Sequence, residues 1–358
     1  MNYLNRQKRL LRLIEEKSID GLLIRKKENI NYLTGLKGAD AILLISNRYQ
    51  PVIITDLRYK EEYSKLKEWI KVEAGQPADI YKVVSSILLK KKIDRIGFES
   101  SGFYFSEYQR LKEGLKKGRR LIPVKGLVEI LRKTKDKEEL NYIKKACNDA
   151  DKVMDYALKN VRPGISENRL KGMIEIYIKR NGFSGPGFDI IVASGKNASM
   201  PHATSTDKRI KTKETVILDL GIQCNGYNSD LTRTVFTGRI ERTYYHIYNI
   251  VSVAQKMAIA AIRPGIEARR LDKISRQYIS DRGFGKYFIH SLGHGVGLEV
   301  HEEPSISQNS QAVLEEGMVV TIEPGIYIPQ WGGVRIEDTV LVTSNGCKVL
   351  TSEDGTCR

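Results

Sequence analysis

Val161-Arg162-Pro163-Gly164-Ile165-Ser166-Glu167 recurs as Ile262-Arg263-Pro264-Gly265-Ile266-Glu267-Ala268. Two further landmarks keep the spacing. Arg169-Leu170 returns as Arg270-Leu271, and Asn181-Gly182-Phe183 as Arg282-Gly283-Phe284, each 101 residues on. In each copy a helix should stop at Arg-Pro-Gly. A second helix should run to a glycine cap, and a strand-rich segment should follow. Two copies of one helix–helix–strand unit predict a pseudo-two-fold domain of the α/β (α+β) class, with a central sheet covered by helices. The alternative is chance likeness between two helix-turn-helix joints, and three landmarks at one offset weigh against it.

Upstream of the repeat, Arg132-Lys133-Thr134-Lys135-Asp136-Lys137-Glu138 is a charge run with little to bury. It sets a domain boundary, with an N-terminal domain over 1–131 and a second domain over 132–358. A long amphipathic helix should follow the run, to about Asn160. In the first third, Leu4, Leu10, Leu11, Leu13 and Ile14 have helical spacing and predict a helix over 4–18. Gly21-Leu22-Leu23-Ile24, Ala41-Ile42-Leu43-Leu44-Ile45 and Pro51-Val52-Ile53-Ile54-Thr55 read as short buried strands, the last two paired. Helices are expected around 59–70 and 79–90, and a strand at Ile96-Gly97-Phe98. That alternation predicts a mixed sheet with helices packed on it.

The 358 residues suffice for more than one domain, and 41% apolar with 28% charged residues is ordinary for a soluble globular chain. No apolar run reaches the roughly 18 to 20 residues of a membrane span. The start, MNYLNRQKRLLRLIEEK, lacks the apolar stretch of a secretory signal. Cys147, Cys224, Cys347 and Cys357 are scattered without a CxxC pair, which argues against a disulfide scaffold or a zinc finger and fits a reducing cytoplasm. The net charge is +16. Up to Lys135 there are 30 Lys+Arg against 16 Asp+Glu, and beyond it 29 against 27, so the excess lies in the first third. Its lysines are spread through amphipathic segments rather than set beside aromatics. A solvated surface is therefore expected, and nucleic-acid binding is not.

Asn225-Gly226 lies between the apolar runs Val216–Leu220 and Leu231–Val235 and signals a type I′ hairpin. With these as turn residues, Asp219 faces Thr232. Asp230 lies two residues from Thr232 and so shares that face. The two aspartates become diagonal neighbours, about 7–8 Å apart at the backbone. Two carboxylates near the apolar centre of a sheet cannot both stay charged without a counterion, which a divalent metal would supply. Alternatively, one aspartate caps a turn and the other is solvated.

His290-Ser291-Leu292-Gly293-His294-Gly295-Val296-Gly297-Leu298-Glu299-Val300-His301 carries three of the five histidines in twelve residues. Glycines around His294 allow close backbone approach and expose the imidazole. Val319-Val320-Thr321-Ile322-Glu323 and Gly333-Val334-Arg335-Ile336-Glu337 each place a glutamate in an apolar, β-branched run, where glutamate is disfavoured. Either one alone would also suit a surface edge strand. Arg335 and Glu337 are two apart on one strand, so the arginine can orient that carboxylate. As a set, Asp219, Asp230, His294, Glu323 and Glu337 suit a pair of divalent ions, most naturally Mn²⁺, with Co²⁺, Zn²⁺ or Fe²⁺ as alternatives.

DLGIQCNGYNSDLTRT, HSLGHGVGLEVHEEP, TIEPGIY and GGVRIEDT occur in the order and spacing of a known ligand set. Through them the chain resembles the pita-bread (creatinase-like) metallopeptidases, in the aminopeptidase P and prolidase branch. DGLLIRKKENINYLTG and TDLRY resemble that family's N-terminal domain. The resemblance implies a cytoplasmic metallo-exopeptidase that cleaves Xaa-Pro bonds at peptide N-termini or in dipeptides, with a metal-bridging hydroxide as nucleophile. Its partners would be proline-containing peptides, and it would form a homodimer. No membrane and no nucleic acid is implied.

The same resemblance implies roles. Asp230 and Glu337 would bridge both ions, Asp219 would hold one, and His294 and Glu323 the other. Glu323 would also accept a proton. His202 would stabilise the tetrahedral intermediate or shuttle a proton. His301 would contact the substrate backbone, and His290 would line the pocket for the proline ring, with Arg335 at the substrate site. The five ligands are intact, which disfavours a metal-free relative. A methionine aminopeptidase is the weaker enzyme alternative, because that group typically lacks the N-terminal domain. A non-catalytic binding module with a basic N-terminal domain is the alternative from another class. GxSxG and HExxH are absent.

Overall fold

The computed structural model describes residues 2–37, 40–63, 69–115 and 118–351. The chain divides into two compact units, Met1–Arg132 and Lys133–Arg358.

The first unit runs α1 (Tyr3–Glu16), β1 (Gly21–Ile24), α2 (Lys27–Thr34), β2 (Ala41–Ser46), β3 (Tyr49–Asp56), α3 (Lys60–Tyr63), β4 (Lys71–Gly75), α4 (Ile80–Lys90), β5 (Arg95–Glu99), α5 (Phe105–Gly114), β6 (Arg120–Val124) and α6 (Leu127–Arg132). Its six-stranded sheet has the order β4-β3-β2-β1-β5-β6. β1–β2 and β2–β3 are antiparallel; β3–β4, β1–β5 and β5–β6 are parallel. This is the expected mixed sheet. β1 and β2 are buried along their whole length, as continuous apolar runs require. The helix expected around 59–70 is shorter: α3 ends at Tyr63, and 64–68 lie outside the described residues. Lys71–Gly75, for which the sequence reading names no element, is a strand, with Val72 and Ala74 in a ladder beside β3. Glu99, at the end of β5, accepts from the Arg25 and Lys26 amides at 2.8 and 2.9 Å and so fixes the chain where it enters α2. Burial pushes its pKa up to about 7, against those hydrogen bonds.

The second unit runs α7 (Lys137–Asn160), α8 (Glu167–Arg180), β7 (Ile191–Ser194), β8 (Thr215–Leu220), β9 (Gln223–Cys224), β10 (Tyr227–Asn228), β11 (Leu231–Phe236), α9 (Arg242–Ala261), α10 (Ala268–Ser280), β12 (Gly293–Gly295), β13 (Glu302–Ile306), β14 (Val319–Ile322), β15 (Gly325–Ile328), β16 (Gly332–Arg335), β17 (Asp338–Val342) and β18 (Cys347–Val349). α7 starts at Asp136, whose carboxylate caps Glu138 and Glu139 in a capping box, so the charge run reads as a helix start.

The repeat is visible in hydrogen bonds. The Gly164 amide donates to Ile210 O, Ile210 N to Ile165 O, and Glu167 N to Lys208 O. In the second copy Gly265 N donates to Leu314 O, Leu314 N to Ile266 O, and Ala268 N to Ala312 O. Gly164 and Gly265 have φ of 91° and 86°. Each half has its own apolar core. One gathers Val153, Leu170, Ile174, Val192 and Leu218, the other Val251, Leu271, Leu292, Val320 and Val340.

The expected single central sheet is divided into two larger sheets, ordered β11-β8-β7 and β13-β12-β14-β17-β18, with two-stranded sheets β10-β9 and β15-β16 beside them. Side chains stitch their junction. Thr339 Oγ1 donates to Asp230 O at 2.8 Å, Thr234 Oγ1 donates to Arg335 O at 2.7 Å, and Arg233 Nη1 donates to Glu337 O at 2.6 Å. Of the described cysteines, Cys147 and Cys224 are buried and Cys347 is partly buried, and no disulfide joins them; Cys357 lies outside the described residues. No helix among the described residues is long and apolar enough to cross a membrane.

Nothing would lie within 4 Å of a Cβ added at Gly164 or Gly265, so alanine there meets only the left-handed backbone penalty. We expect Gly164→Ala and Gly265→Ala to cost about 1 kcal/mol each, and nearly the same amount, in urea unfolding. Clearly unequal costs would mean that the two joints are not equivalent.

Candidate metal and active site

The hairpin delivers the first two carboxylates. Asn225 and Gly226 have φ of 54° and 87°, as a type I′ turn needs. Asp219 pairs with Thr232, the register expected from that turn. Asp230 stands just before β11, Glu323 just after β14 and Glu337 just before β17. Three of the four carboxylates are therefore at strand ends, not in mid-strand as the sequence suggests. A break in the ladder lets a side chain turn out of the alternating pattern and aim sideways. His294 is held in β12 between β13 and β14. A Cβ at Gly293 would overlap the Thr321 carbonyl oxygen, and one at Gly295 the Glu303 carbonyl oxygen, so glycine is required on both sides of the imidazole.

These side chains interlock. Ligand atoms of Asp219, Asp230 and Glu337 lie within 4.8 Å of one another, as do those of His294, Glu323 and Glu337, and those of Asp230, His294 and His301. His294 Nε2 is 3.2 Å from Glu323 Oε1 and 3.7 Å from Asp230 Oδ2. Its Nδ1 lies 3.1 Å from Gly295 O, and donation there leaves Nε2 directed at the carboxylates. Thr321 Oγ1 approaches Glu323 Oε1 at 3.3 Å and accepts from the His294 amide at 3.1 Å.

Arg335 departs from its expected role toward Glu337. β16 ends at Arg335 and β17 begins at Asp338, so the two residues are not on one regular strand. Arg335 Nη2 contacts Asp219 Oδ2 at 2.5 Å. It reaches Glu337 indirectly: Arg335 Nε donates to Thr232 Oγ1 at 3.1 Å, and that hydroxyl donates to Glu337 Oε2 at 2.7 Å. Nη1 donates to Tyr327 Oη at 2.8 Å and Pro201 O at 3.1 Å.

Tyr327 Oη lies 3.0 Å from His290 Nε2, and His290 Nδ1 is 2.8 Å from Ser291 O. With Arg335 donating to the phenol oxygen, the phenol proton points to Nε2 and the other ring nitrogen carries its own. His202 is exposed on the loop after Pro201, and its charge is felt at both His290 and His301. His301 is exposed, with its ring centroid 4.3 Å from that of His294. The fifth histidine, His246, stands apart beside Phe284. Sequence reasoning gave no role to Tyr327 or Thr232. Tyr327 is four residues beyond Glu323, and Thr232 was used only as the cross-strand partner of Asp219. Their hydroxyls matter because the fold brings them to Arg335.

The electrostatics are those of a site built for cations. Burial, then the charge of Asp219, raises the pKa of Asp230 well above the carboxylate range; burial, then Asp230 and Glu323, does the same for Glu337. Burial also raises Asp219, against the opposing pull of Arg335. Burial opposes charge on His294, but the hydrogen bond and field of Glu323 outweigh it and lift the pKa to about 9. Glu323 is lowered to about 2, its burial overcome by His294, His290 and Arg335. Asp219 Oδ1 is buried and accepts no hydrogen bond. An orphaned carboxylate oxygen among crowded acids fits divalent cations, which replace the protons those acids would otherwise hold.

The profile of metallopeptidase family M24 matches residues 141–344, and that of the creatinase/prolidase N-terminal domain matches 6–134. The Xaa-Pro dipeptidase of Pyrococcus furiosus is 40% identical over 98% of each chain, and that of Pyrococcus horikoshii 41% identical over 97% of each. Among solved structures, an Xaa-Pro dipeptidase from Bacillus anthracis superposes with a TM-score of 0.94 at 38% identity over 98% of both chains. The X-Pro aminopeptidase of Thermotoga maritima gives a TM-score of 0.87 at 30% identity over 98% of this chain and 99% of that one.

Protonated Asp230, Glu337 and His294 must lose their protons to take up a cation. Their folded pKa values are raised, so fewer protons remain to be displaced as pH rises, and metal affinity should increase with pH. Calorimetry with Mn²⁺ should show tighter binding at about pH 8 than at about pH 6, with a buffer-dependent enthalpy from proton release. Binding of equal strength at both pH values would contradict these electrostatics. Fold, comparisons and this cluster of acids together make the chain a member of metallopeptidase family M24 with a creatinase/prolidase N-terminal domain, a hydrolase acting on peptides.

Proposed function

We propose that the chain is a metal-dependent exopeptidase that hydrolyses Xaa-Pro bonds, foremost those of dipeptides. The observation that carries this reading is full-length similarity to two Xaa-Pro dipeptidases combined with the convergence of Asp219, Asp230, His294, Glu323 and Glu337. In it, Asp219 with the shared Asp230 and Glu337 would hold one divalent ion, and His294 with Glu323 and the same shared pair would hold the other. Four carboxylates and one imidazole favour hard ions, so Mn²⁺ is the proposed metal. Bound there, the ions supply Lewis acidity, polarising the scissile carbonyl and acidifying water.

The side chains do the rest. Glu323, ionised at neutral pH, accepts the proton of the attacking water. His202 faces the reacting carbonyl and donates a hydrogen bond as negative charge develops on oxygen. His301, exposed beside His294, contacts the substrate backbone. His290, edge-on to Phe288 and Tyr327, lines the pocket for the proline ring. Arg335, expected at the substrate site, works through others: its guanidinium holds Asp219, the Pro201 carbonyl and Tyr327 in place rather than reaching open space. The proposed setting is cytoplasmic, with a homodimer as the working form.

Likeness to the Thermotoga maritima X-Pro aminopeptidase favours a second reading, in which longer peptides are accepted. Purified protein should cleave Ala-Pro with Mn²⁺ and lose that activity on chelation. Release of alanine from Ala-Pro-Ala at a comparable rate would move the assignment to the aminopeptidase, and cleavage of neither would remove both. Asp230→Ala should lower kcat by about a hundredfold or more, since it takes away a ligand of both ions. Undiminished turnover in that variant would refute the shared-ligand arrangement.

A further inference from the structure

We propose that Glu167 is the positioning residue for His202, locking the two ends of the loop that carries it; this rests on the Xaa-Pro reading above only for what His202 does. Glu167 is the first residue of α8 and is fully buried, 0% exposed. One carboxylate oxygen accepts from the Ser194 amide and hydroxyl, both at 2.7 Å. The other accepts from the Thr206 amide at 3.0 Å and its hydroxyl at 2.7 Å. Asn197 Nδ2 lies at 3.2 and 3.0 Å from the two oxygens. Ser194 opens the segment that leads to His202, Asn197 lies within it, and Thr206 closes it. One side chain thus ties the loop at its entry, in its first turn and at its exit. Arg335 holds the middle through Pro201 O, which links the loop to Asp219.

The repeat supplies an internal control. The residue matching Glu167 in the second copy is Ala268, and that joint makes the same three backbone hydrogen bonds with a methyl group where the first has the carboxylate. The architecture therefore does not need an acid at this position. The loop after β7 in the first half bears His202, whereas the matching segment after β12 bears His301 and has no acid at the joint position to tie it. Burying a carboxylate is costly unless donors surround it, and here every partner is a donor. The expense has a purpose if the loop must hold an exposed imidazole still.

Glu167→Gln keeps the volume but turns an NH₂ group against donors on one side of the loop, so one loop end must come loose. We expect kcat for Ala-Pro to fall about ten- to hundredfold with KM and bound Mn²⁺ stoichiometry unchanged. In a His202→Ala background, Glu167→Gln should slow turnover no further, because both act through one imidazole. Thr206→Val, a milder release of the exit, should lower kcat in the same way, and Thr206→Ser should restore it. Wild-type kcat in Glu167→Gln, multiplicative losses in the double variant, or loss of bound Mn²⁺ would overturn the proposal. Imidazole NMR of the metal-free protein separates this from the substrate assignment. The His202 ring resonances should shift in Glu167→Gln and Thr206→Val while those of His246 stay in place. Unmoved His202 resonances would defeat the clamp whether or not Ala-Pro is a substrate.

Discussion

Asp219, Asp230 and Glu337 are brought within reach of one another under burial, and their mutual repulsion is the constraint that organises the second unit. A carboxylate so placed is driven toward its protonated form unless positive charge arrives. The protein supplies part of that charge itself, through Arg335 against Asp219 and His294 against Glu323. The remainder, marked by the unpartnered Asp219 Oδ1, is left for ligands from solution. In a family of metallopeptidases this is the expected division of labour. The chain fixes oxygen and nitrogen atoms in advance, so a cation meets a site that is already assembled.

The pseudo-two-fold repeat explains how five such side chains come to one place. The first half contributes Asp219 and Asp230, on β8 and just before β11. The second contributes Glu323 and Glu337, just after β14 and just before β17. Each pair is thus set by equivalent strands, and the two pairs meet where β11 and β17 approach. The junction is held by threonine hydroxyls and Arg233 rather than by a continuous backbone ladder. Hydroxyls and a guanidinium can bond at the angle where two twisted sheets meet, and they leave the carboxylates free to point between them. The halves differ where chemistry must differ. Only the second carries the glycine-flanked His294, and only the first carries the loop with His202.

Buried charge also holds the loops around the cluster. Arg276 spans Asp272, the Phe288 carbonyl and the His290 carbonyl, and its guanidinium lies over the Phe288 ring. Lys135 donates to Glu302 in a buried pair next to His301. With Glu167 acting on the His202 loop, each of His202, His290 and His301 has a polar anchor behind it. Hydrogen bonds of this kind suit the task because they fix direction as well as distance, which apolar packing under an irregular loop does not.

Much of this could be read from the chain alone. The 101-residue repeat announced the two-fold unit, because its landmarks are local: a proline that cannot continue a helix, and a glycine that takes positive φ. The Asn225-Gly226 turn determined the pairing of Asp219 with Thr232, since a two-residue turn leaves only one register. Periodicity also located most strands of the first unit, though it marked neither β4 nor β6. Other features were settled only by tertiary structure. The direct partner of Arg335 is Asp219, not Glu337, because a sequence interval shows a shared face but not which residue of another strand comes opposite. Tyr327, Thr232 and Glu167 owe their places to contacts with residues far away in the chain. Local rules act over a turn or a strand, whereas these hydrogen bonds exist only after two sheets and a loop have packed together.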